Sequence, residues 1–378
     1  MSDNPLPNQE VHSSSSFEAP IRPRAQGLSD RPTQPEPTVS TFTFLGTGTS
    51  SQVPAIGCLT DPRSRCKICP SALHASTQKN RRRNTSAFVE LSNQKTILID
   101  CGKSFFDTAL QIWPRAGFRQ IDALLLTHAH ADAILGLDDL RGWTLGGFIQ
   151  KSISVYLTQK TFDAVAQMFP YMVDSAKATG GGDIPAFCWN IIDEDSRFWI
   201  ESCGVGVQTL KVEHGNYFDE AMTPFICLGF QIGRPENQDK GGVSYISDAS
   251  RIPEATRRRL EGSQLLVLDA LRRGRHASHM SIGETVEFIR NLDEGADRIY
   301  LVDFTHEIDH YAFERELSDT MNGDVRPAYD GMMVKFDEGL TEVDLLGDKA
   351  WIAVSERDAG PTKGKSEDRS EGKVQTLV

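Results

Sequence analysis

Long apolar runs and excess positive charge are both missing from this sequence. No stretch of the 378 residues approaches the roughly 18 consecutive apolar residues that a membrane-spanning helix needs, and the N-terminus lacks the apolar core of a secretory signal. The 40 Lys and Arg are outnumbered by 52 Asp and Glu, so the formal net charge is -12. This excess of negative charge argues against general electrostatic binding to nucleic acid or to anionic membranes. We therefore expect a protein of the cytoplasm, with the nucleus as an alternative. We expect it to bind no membrane, and the sequence gives no strong indication of nucleic-acid binding.

Cysteine is scarce and odd in number, which excludes a framework in which every thiol forms a disulfide. Three of the seven cysteines, Cys58, Cys66 and Cys69, fall in one stretch punctuated by Pro and Gly, and two of them form the knuckle "CKIC". In a reducing compartment such a cluster favours metal ligation. Three thiolates need a fourth ligand to complete a tetrahedral Zn²⁺ site of the structural kind, and His74 is one candidate.

The composition divides the chain into a central domain and two tails. Residues 1–39 and 355–378 are rich in small and polar residues and have few large apolar side chains, so we expect them to be disordered. Over residues 40–354 apolar runs predict strands at 41–45, 87–91, 95–100, 122–127, 152–157, 204–212, 225–232, 243–247, 264–269 and 298–304. Helical patterns alternate with them at 104–112, 135–145, 158–169, 254–261, 281–291 and 309–319, and Ser281 with Glu284 forms a capping box for the fifth helix. The early strands read as hairpins and the later ones are separated by helices, which predicts an α/β (α+β) domain with two sheets and helices outside.

Polar residues follow several of the predicted strands. The run "LLLTHAHADAILGLDDLR" (124–141) places His128 and His130 where an apolar strand stops, with Asp132 close behind. A His-x-His pair can turn two imidazoles toward one ion, and a nearby carboxylate adds an oxygen ligand. Loops that leave one edge of a sheet converge in space, so other strand-ending side chains are expected at the same place. These are His214, Asp248, Asp269 and Asp303.

This set of residues, together with "FLGTGTS" (44–50) and "SDAS" (247–250), resembles the metallo-β-lactamase fold hydrolases over roughly residues 41–336. The resemblance implies a four-layer αββα sandwich. The segments "GTGTSSQVPAIGC", "CKIC", "RRRNTSAFVE", "HADAILGLDDLR", "LLVLDALR" and "THEIDH" are most similar to the branch related to the phosphoribosyl cyclic phosphate phosphodiesterase of phosphonate breakdown, and more distantly to tRNA 3′-processing nucleases.

The resemblance also implies a set of catalytic metal ligands. His128, His130 and His214 would hold a first metal, and Asp248 would bridge it to a second metal that Asp132 also holds. For the cysteine cluster, the resemblance makes His306 the fourth ligand of a structural Zn²⁺. An alternative register assigns His306 to the catalytic metal instead.

Two positions depart from the family pattern. The last His of the HxHxDH motif is Ala133, and the usual late histidine aligns with Asp303. Oxygens from Asp132, Asp248 and Asp303 would favour Mn²⁺ or Mg²⁺ over Zn²⁺ at the second position. A one-metal enzyme and an inactive site are the alternatives, and Asp303 can also be a carboxylate that merely ends a strand.

Further catalytic groups are expected in "RRGRHASHMS" (272–281). His279 is the first candidate for a general acid or phosphate ligand and His276 the second, because imidazole titrates in the useful range. The arginines of this loop and the basic run "KNRRRN" (79–84) either attract a phosphate or form a solvated surface. Asp138 and Asp139 are expected to form a structural ion pair with Arg141 that locks the metal loop, in preference to a catalytic dyad.

These observations predict a metal-dependent hydrolase. The first hypothesis is a phosphodiesterase that attacks a small cyclic or nucleotide-like diester with a metal-bound hydroxide, using Zn²⁺ and, at the second position, Zn²⁺ or Mn²⁺. A thioester or other acyl hydrolase and a non-catalytic metal-binding protein are the alternatives. The expected partner is the small diester substrate, and a homodimer is compatible with the sequence.

Overall fold

A computed structural model describes residues 21–22, 35–236, 238–321, 323–337 and 339–347. Most of the predicted N-terminal tail and all of the predicted C-terminal tail lie outside these residues. The predicted domain boundary at residue 40 falls just inside the first long strand, which begins at Val39. Glu36 already contacts the domain, since its carboxylate pairs with Arg197 at 3.0 Å and accepts a hydrogen bond from the backbone of Gly206.

Sixteen strands are present in the described part of the chain. They are β1 Ile21–Arg22, β2 Val39–Gly46, β3 Ser86–Leu91, β4 Thr96–Ile99, β5 Ala123–Leu125, β6 Ile153–Leu157, β7 Phe187–Ile191, β8 Arg197–Ile200, β9 Val205–Asn216, β10 Pro224–Ile232, β11 Val243–Tyr245, β12 Leu265–Asp269, β13 Arg298–Val302, β14 Val325–Pro327, β15 Met332–Lys335 and β16 Thr341–Asp344.

The helices are of mixed length. The α-helices are α1 Ile56–Thr60, α2 Ile68–Ser71, α3 Phe105–Ala116, α4 Ala131–Ile134, α5 Arg141–Thr144, α6 Gln159–Met168, α7 Pro170–Val173, α8 Glu254–Leu260, α9 Ile282–Arg290 and α10 His310–Thr320, and short 3₁₀ turns cover Ala75–Asn80, Leu137–Leu140, Leu145–Gly147 and Ser175–Lys177.

The strands form two sheets. One has the order β1-β7-β6-β5-β4-β3-β2-β15-β16 and the other β14-β13-β12-β11-β10-β9-β8. Side chains from the facing sides of both sheets, such as Phe44 and Tyr300, form a shared buried core. The outer face of the first sheet packs on α3 and α6, and that of the second on α8, α9 and α10. The predicted four-layer αββα arrangement is therefore confirmed.

The direction of the strands decides where functional groups gather. β4 to β7 run parallel in the first sheet, and β11 to β14 run parallel in the second. The loops after β5, β11, β12 and β13 thus leave their sheets at carboxyl ends, which is where α/β folds build sites. The antiparallel partner β9 brings its own C-terminal end, and His214, to the same place.

The predicted helix over 135–145 is wrong as a continuous element. The chain instead forms α4, a 3₁₀ turn and α5 in succession. Gly136 lies between α4 and the 3₁₀ turn, and its amide donates to the carbonyl of Cys101 at 2.8 Å. A Cβ at this position would lie 2.3 Å from the backbone oxygen of Gly102, so only glycine fits this close approach.

Candidate metal centres

Three histidines converge at the end of β5. The ring centroids of His128 and His130 are 4.5 Å apart. The ring centroid of His214 lies 5.3 Å from that of His128 and 5.1 Å from that of His130. One ring nitrogen from each histidine lies within 4.8 Å of the others. The structure thus brings together the three imidazoles that the sequence predicts as ligands of one metal.

Hydrogen bonds orient two of these rings. The hydroxyl of Thr127 donates to Asp100 at 2.7 Å and lies 2.8 Å from Nδ1 of His128, so it accepts the Nδ1 proton of that ring. Nδ1 of His214 donates to the carbonyl of Ser278 at 2.6 Å. In both rings the proton is therefore on Nδ1, and the lone pair of Nε2 is free to bind a metal.

The chemistry of this donor set fits a metal ion. Nε2 of His128 is buried and has no hydrogen-bond partner, which is a costly arrangement for a polar atom unless an ion binds it. Burial lowers the pKa of His128 to about 3, so the ring stays neutral as a ligand must. Burial also lowers the pKa values of His130 and His214.

Asp248 lies beside the three histidines. It follows β11 in a left-handed conformation (φ 41°), and its Oδ1 is 3.8 Å from Nε2 of His214. Burial opposes ionisation of the carboxyl group, but His128, His214 and His279 outweigh it and lower the pKa of Asp248 to about 2. Asp248 is consequently anionic at neutral pH and can offer an oxygen to a cation.

The residues expected at a second metal are brought together only in part: Asp303 forms a close group of ligand atoms with Asp269 and His279, and Asp248 forms one with His214 and His279. Asp132 lies in the first turn of α4, where burial and the charge of Asp248 raise its pKa to about 6, but it does not join the close groups of ligand atoms. Ala133 is 2% exposed and packs in an apolar cluster. Asp303 accepts hydrogen bonds from the hydroxyl of Thr85 and from the amide of Asp248, so it supports the loop after β11.

His279 reaches this centre and His276 does not. Nδ1 of His279 contacts Oδ2 of Asp269 at 2.7 Å, and its Nε2 lies 3.9 Å from Oδ1 of Asp248. Burial disfavours the charged ring, but Asp269 outweighs it and raises the pKa of His279 to about 10. His276 is exposed, with its ring centroid 5.4 Å from that of His279 and its Nδ1 bonded to Ser278.

Three side chains at this centre were not predicted from the sequence. Asp100 and Thr127 orient His128, and Phe225 stacks flat on His130 with centroids 4.7 Å apart and planes 4° apart. Asp100 carries the same signal as the predicted ligands, since it directly follows a buried strand. The stacking of Phe225 has no local sequence signal, because it depends on β10 lying beside the loop after β5.

A second group forms from the cysteines. Nδ1 of His306 lies 3.3 Å from Sγ of Cys58 and 3.5 Å from Sγ of Cys66, and Cys69 completes a group whose ligand atoms lie within 4.8 Å of one another. Backbone amides donate to two of the sulfurs, from Ala55 to Cys69 and from Cys69 to Cys66. His74 does not belong to this group. The structure thus places His306 with the thiols and away from the three histidines.

These sulfurs differ in their ease of ionisation. Burial opposes the thiolate of Cys66, but hydrogen bonds from its surroundings outweigh it and lower the pKa to about 7. Burial raises the pKa of Cys69 to about 12. A bound cation would favour the thiolate form at both positions.

The arginines singled out in the sequence are mostly paired with carboxylates or buried. In the loop after β12, Arg272, Arg273 and Arg275 pair with Glu307, Glu316 and Glu284 respectively. In the basic run, Arg82 and Arg83 are buried, so the interpretation of this run as a solvated face is wrong for both. The predicted ion pair between Asp138 and Arg141 is present at 3.1 Å.

Together, the two-sheet sandwich and the histidines and aspartates at the carboxyl ends of its strands define a class, the metallo-β-lactamase fold hydrolases. Residues 95–304 match the family model of the beta-lactamase superfamily domain. This match covers more than half of the chain, so the protein belongs to that superfamily.

Several solved structures share this fold. A diphosphatase of the PhnP family is 28% identical, with a TM-score of 0.62 over 80% of this chain and 100% of that one. Zn²⁺-bound PqqB from Methylobacterium extorquens has a TM-score of 0.61 at 19% identity, and the short form of human tRNase Z has 0.51 at 16% identity. The match to PqqB covers 78% of this chain and 100% of PqqB, and the match to tRNase Z covers 79% of this chain and 99% of that enzyme. The expected resemblance to the phosphodiesterase branch of phosphonate breakdown and to tRNA 3′-processing nucleases is confirmed.

Curated relatives match over part of their length. An octanoyltransferase of Porphyromonas gingivalis is 27% identical over 298 residues, which is 78% of this chain but only 51% of that protein. A ribonuclease Z of Bradyrhizobium diazoefficiens is 34% identical over 106 residues, 28% of this chain and 34% of the relative. The chain therefore spans about half, or less, of these relatives. In the described part of the chain, no helix combines the length and apolarity needed to cross a membrane.

Proposed function

We propose that this hydrolase is a phosphodiesterase that acts on a small cyclic or nucleotide-like phosphate diester. The observation that carries the proposal is the arrangement of four imidazoles around Asp248. His128, His130 and His214 offer ring nitrogens to one cation, while His279 is bonded to Asp269 and its ring centroid lies 4.8 Å from that of His214.

In this proposal Zn²⁺ is held by His128, His130, His214 and Asp248. The metal supplies Lewis acidity, which activates water and offsets negative charge on a phosphoryl oxygen. The residues of the chain set the geometry. Asp100 acts through Thr127 on His128, and Ser278 acts on His214, so both rings keep their metal-facing nitrogens deprotonated.

His279 is proposed as the proton donor to the leaving oxygen. Its Nδ1 is bonded to Asp269, so Nε2 is the atom that can hand over a proton, and this atom faces Asp248. A charged ring at this position also favours an anionic diester over a neutral ester or thioester, because the anion is attracted to both the ring and the metal. The structural similarity to a PhnP-family diphosphatase supports the same choice.

We propose a second metal position on the side of Asp132, Asp248 and Asp303, where oxygen donors favour Mn²⁺ or Mg²⁺. Ala133 contributes no ligand there, so fewer nitrogen donors surround a cation than at the three histidines. Occupancy of this position is therefore expected to be weaker than at the three histidines. We likewise propose a structural Zn²⁺ at Cys58, Cys66, Cys69 and His306, whose closed donor set leaves no position for substrate.

An acyl substrate is the second candidate, since one curated relative is an octanoyltransferase. The chain spans only half of that protein, so the likeness does not assign the acyl-transfer activity to this part of it.

The test is hydrolysis of bis(p-nitrophenyl) phosphate and of a p-nitrophenyl ester by purified protein loaded with Zn²⁺ or Mn²⁺. We expect turnover of the diester that falls at least about a hundredfold in His128→Ala, whose lost ligand also removes the metal. The conservative His279→Gln should keep the zinc content and lose the rate. Faster turnover of the ester by the wild type would replace the proposed function with the acyl one. Diester turnover that survives His128→Ala would contradict the metal site.

A further inference from the structure

The connection between β9 and β10 exposes large aromatic side chains to solvent next to the histidines. Phe218 is fully exposed at the tip of this hairpin, and Tyr217 and Met222 are 40% and 57% exposed. Large apolar side chains that remain in water beside a functional site are typical of binding surfaces.

The hairpin tip is a built turn. The amide of Tyr217 donates to the carbonyl of Thr223 at 2.8 Å, which extends the ladder of β9 and β10 by one rung. The side chain of Asp219 accepts from the amide of Thr223 at 2.8 Å, and the amide of Met222 donates to the carbonyl of Asp219. These bonds fix where the aromatic side chains project.

A chain of aromatic contacts joins the hairpin to the metal-ligand set. Tyr217 meets the edge of Phe225 with centroids 5.3 Å apart, and Phe225 stacks flat on His130. We call Tyr217 and Phe225, together with the neighbouring exposed Phe218, the aromatic wall. Its member Phe225 adjoins His130, whereas His279 adjoins His214, with centroids 4.8 Å apart.

We infer that the aromatic wall binds the arm of the substrate that is retained after cleavage, and that it selects diesters whose retained arm is a flat aromatic or nucleobase-bearing group. The inference rests on the proposed function for the orientation of the substrate. The leaving oxygen is directed to His279, and the retained arm, which leaves phosphorus in another direction, can lie over Tyr217 and Phe225 beside His130. Planar rings stack on aromatic side chains without needing a particular hydrogen-bond pattern.

Binding of non-hydrolysable phosphonates tests the wall separately from turnover. We would measure by calorimetry the affinity of the zinc-loaded protein for phenylphosphonate, cyclohexylphosphonate and methylphosphonate. The wild type should bind phenylphosphonate about tenfold more tightly than the other two, which corresponds to about 1.4 kcal/mol. Phe218→Ala and Tyr217→Ala should remove most of this difference and leave methylphosphonate binding unchanged.

Phe148→Ala is the matched control. Phe148 is an equally conspicuous exposed phenylalanine, but it lies two residues before Gln150, whose side chain accepts from Ile121 at the start of β5, the end opposite His128. This variant should keep the full preference for phenylphosphonate.

Equal affinity for all three phosphonates, or a preference that survives both wall variants, would overturn the inference. Equal binding of phenylphosphonate and cyclohexylphosphonate would also overturn it, since the surface would then be apolar and not selective for flat rings. Failure of the proposed function has a different signature, because bis(p-nitrophenyl) phosphate would remain intact while the phosphonate preference was still observed.

Discussion

At the scale of single residues, the candidate metal site depends on groups that never touch the metal. Thr127 stands between the buried carboxyl of Asp100 and the ring of His128. Its hydroxyl fixes the tautomer of that ring and thereby the availability of Nε2. Such outer hydrogen bonds commonly change metal affinity by one to two orders of magnitude.

We predict that Thr127→Val weakens zinc binding at the three histidines by about 10- to 100-fold. Valine has nearly the shape of threonine but cannot accept the Nδ1 proton of His128. A competition titration with a chromophoric chelator would measure the affinity. Thr127→Ser, which keeps the hydroxyl, is the control and should bind zinc nearly as the wild type does. Unchanged affinity in the valine variant would show that the hydroxyl does not orient the ring.

At the scale of secondary-structure elements, the basic run at 79–84 acts as an internal brace. The guanidinium of Arg82 is buried and donates to the carbonyls of Thr305 and Ile308, on either side of His306. Arg83 is buried against Asp330 at 3.5 Å. Arg82 thus connects the segment before β3 to the loop before α10, and Arg83 connects it to the turn between β14 and β15.

We predict that Arg82→Met lowers the free energy of unfolding by about 3 kcal/mol, because two buried carbonyls lose their charged donor. Denaturant unfolding would measure this loss. Arg81→Met, at the exposed neighbouring position, should stay within about 0.5 kcal/mol of the wild type. A stable Arg82→Met protein with poor substrate binding would instead assign this arginine to the substrate.

The helix that follows the His279 loop begins with the predicted capping box. The hydroxyl of Ser281 accepts from the amide of Glu284, and the carboxylate of Glu284 accepts from the amide of Ser281. The hydrogen bonds from Ser281 lower the pKa of Glu284 below its ordinary value of 4.5. Stabilisation by the ionised carboxylate is therefore complete above pH 4.5 and is lost as the pH falls through the lowered pKa.

We predict that Ser281→Ala costs about 1 kcal/mol of stability at pH 7. The difference from the wild type should shrink in more acidic solution, below the ordinary pKa of Glu284, as that carboxylate becomes protonated in the wild type. Urea unfolding at a series of pH values would show this, with Ser281→Thr as the variant that retains the cap. A difference that grows toward acid would contradict the role of the carboxylate.

At the scale of the whole molecule, the cysteine group joins distant parts of the chain. Cys58, Cys66 and Cys69 come from the segment after β2, whereas His306 follows β13. A metal bound there would link the two sheets through their loops. Its binding free energy would add directly to the stability of the fold, because the unfolded chain cannot present the same four ligands together.

We predict that Cys66→Ser removes one zinc per chain and lowers the melting temperature by about 4 °C. This follows from a stabilisation of about 2.7 kcal/mol at a zinc concentration one hundred times Kd, and from about 1.5 °C per kcal/mol for a domain of this size. Metal analysis by mass spectrometry and calorimetry would test it. Cys188→Ser, which alters a half-buried thiol on β7, should change neither quantity. Equal zinc content in both variants would refute the structural site.

Much of the molecule follows from local patterns. The buried apolar runs predicted β2 to β6, β9 to β13 and the two-sheet class, because a strand buried on both faces needs no partner to be recognised in the sequence. Short strands with mixed composition, such as β7, β8 and β14 to β16, were not predicted. Their residues form strands because an existing sheet offers them hydrogen-bonding partners, and this is a property of the assembled sheet.

The sequence by itself identified the candidate metal ligands, since His128, His130, His214 and Asp248 each follow or end a strand in a recognisable pattern. Only the tertiary structure decided how they are used. In the folded chain His279, and not His276, contacts Asp269 beside the candidate metal ligands. His306 lies with the cysteine thiols, and Phe225 stacks on His130. The physical reason is that the residue type of a candidate ligand is a local property of the sequence. Its protonation state, its hydrogen-bond partner and the aromatic ring that packs beside it depend on segments that meet only when the two sheets pack.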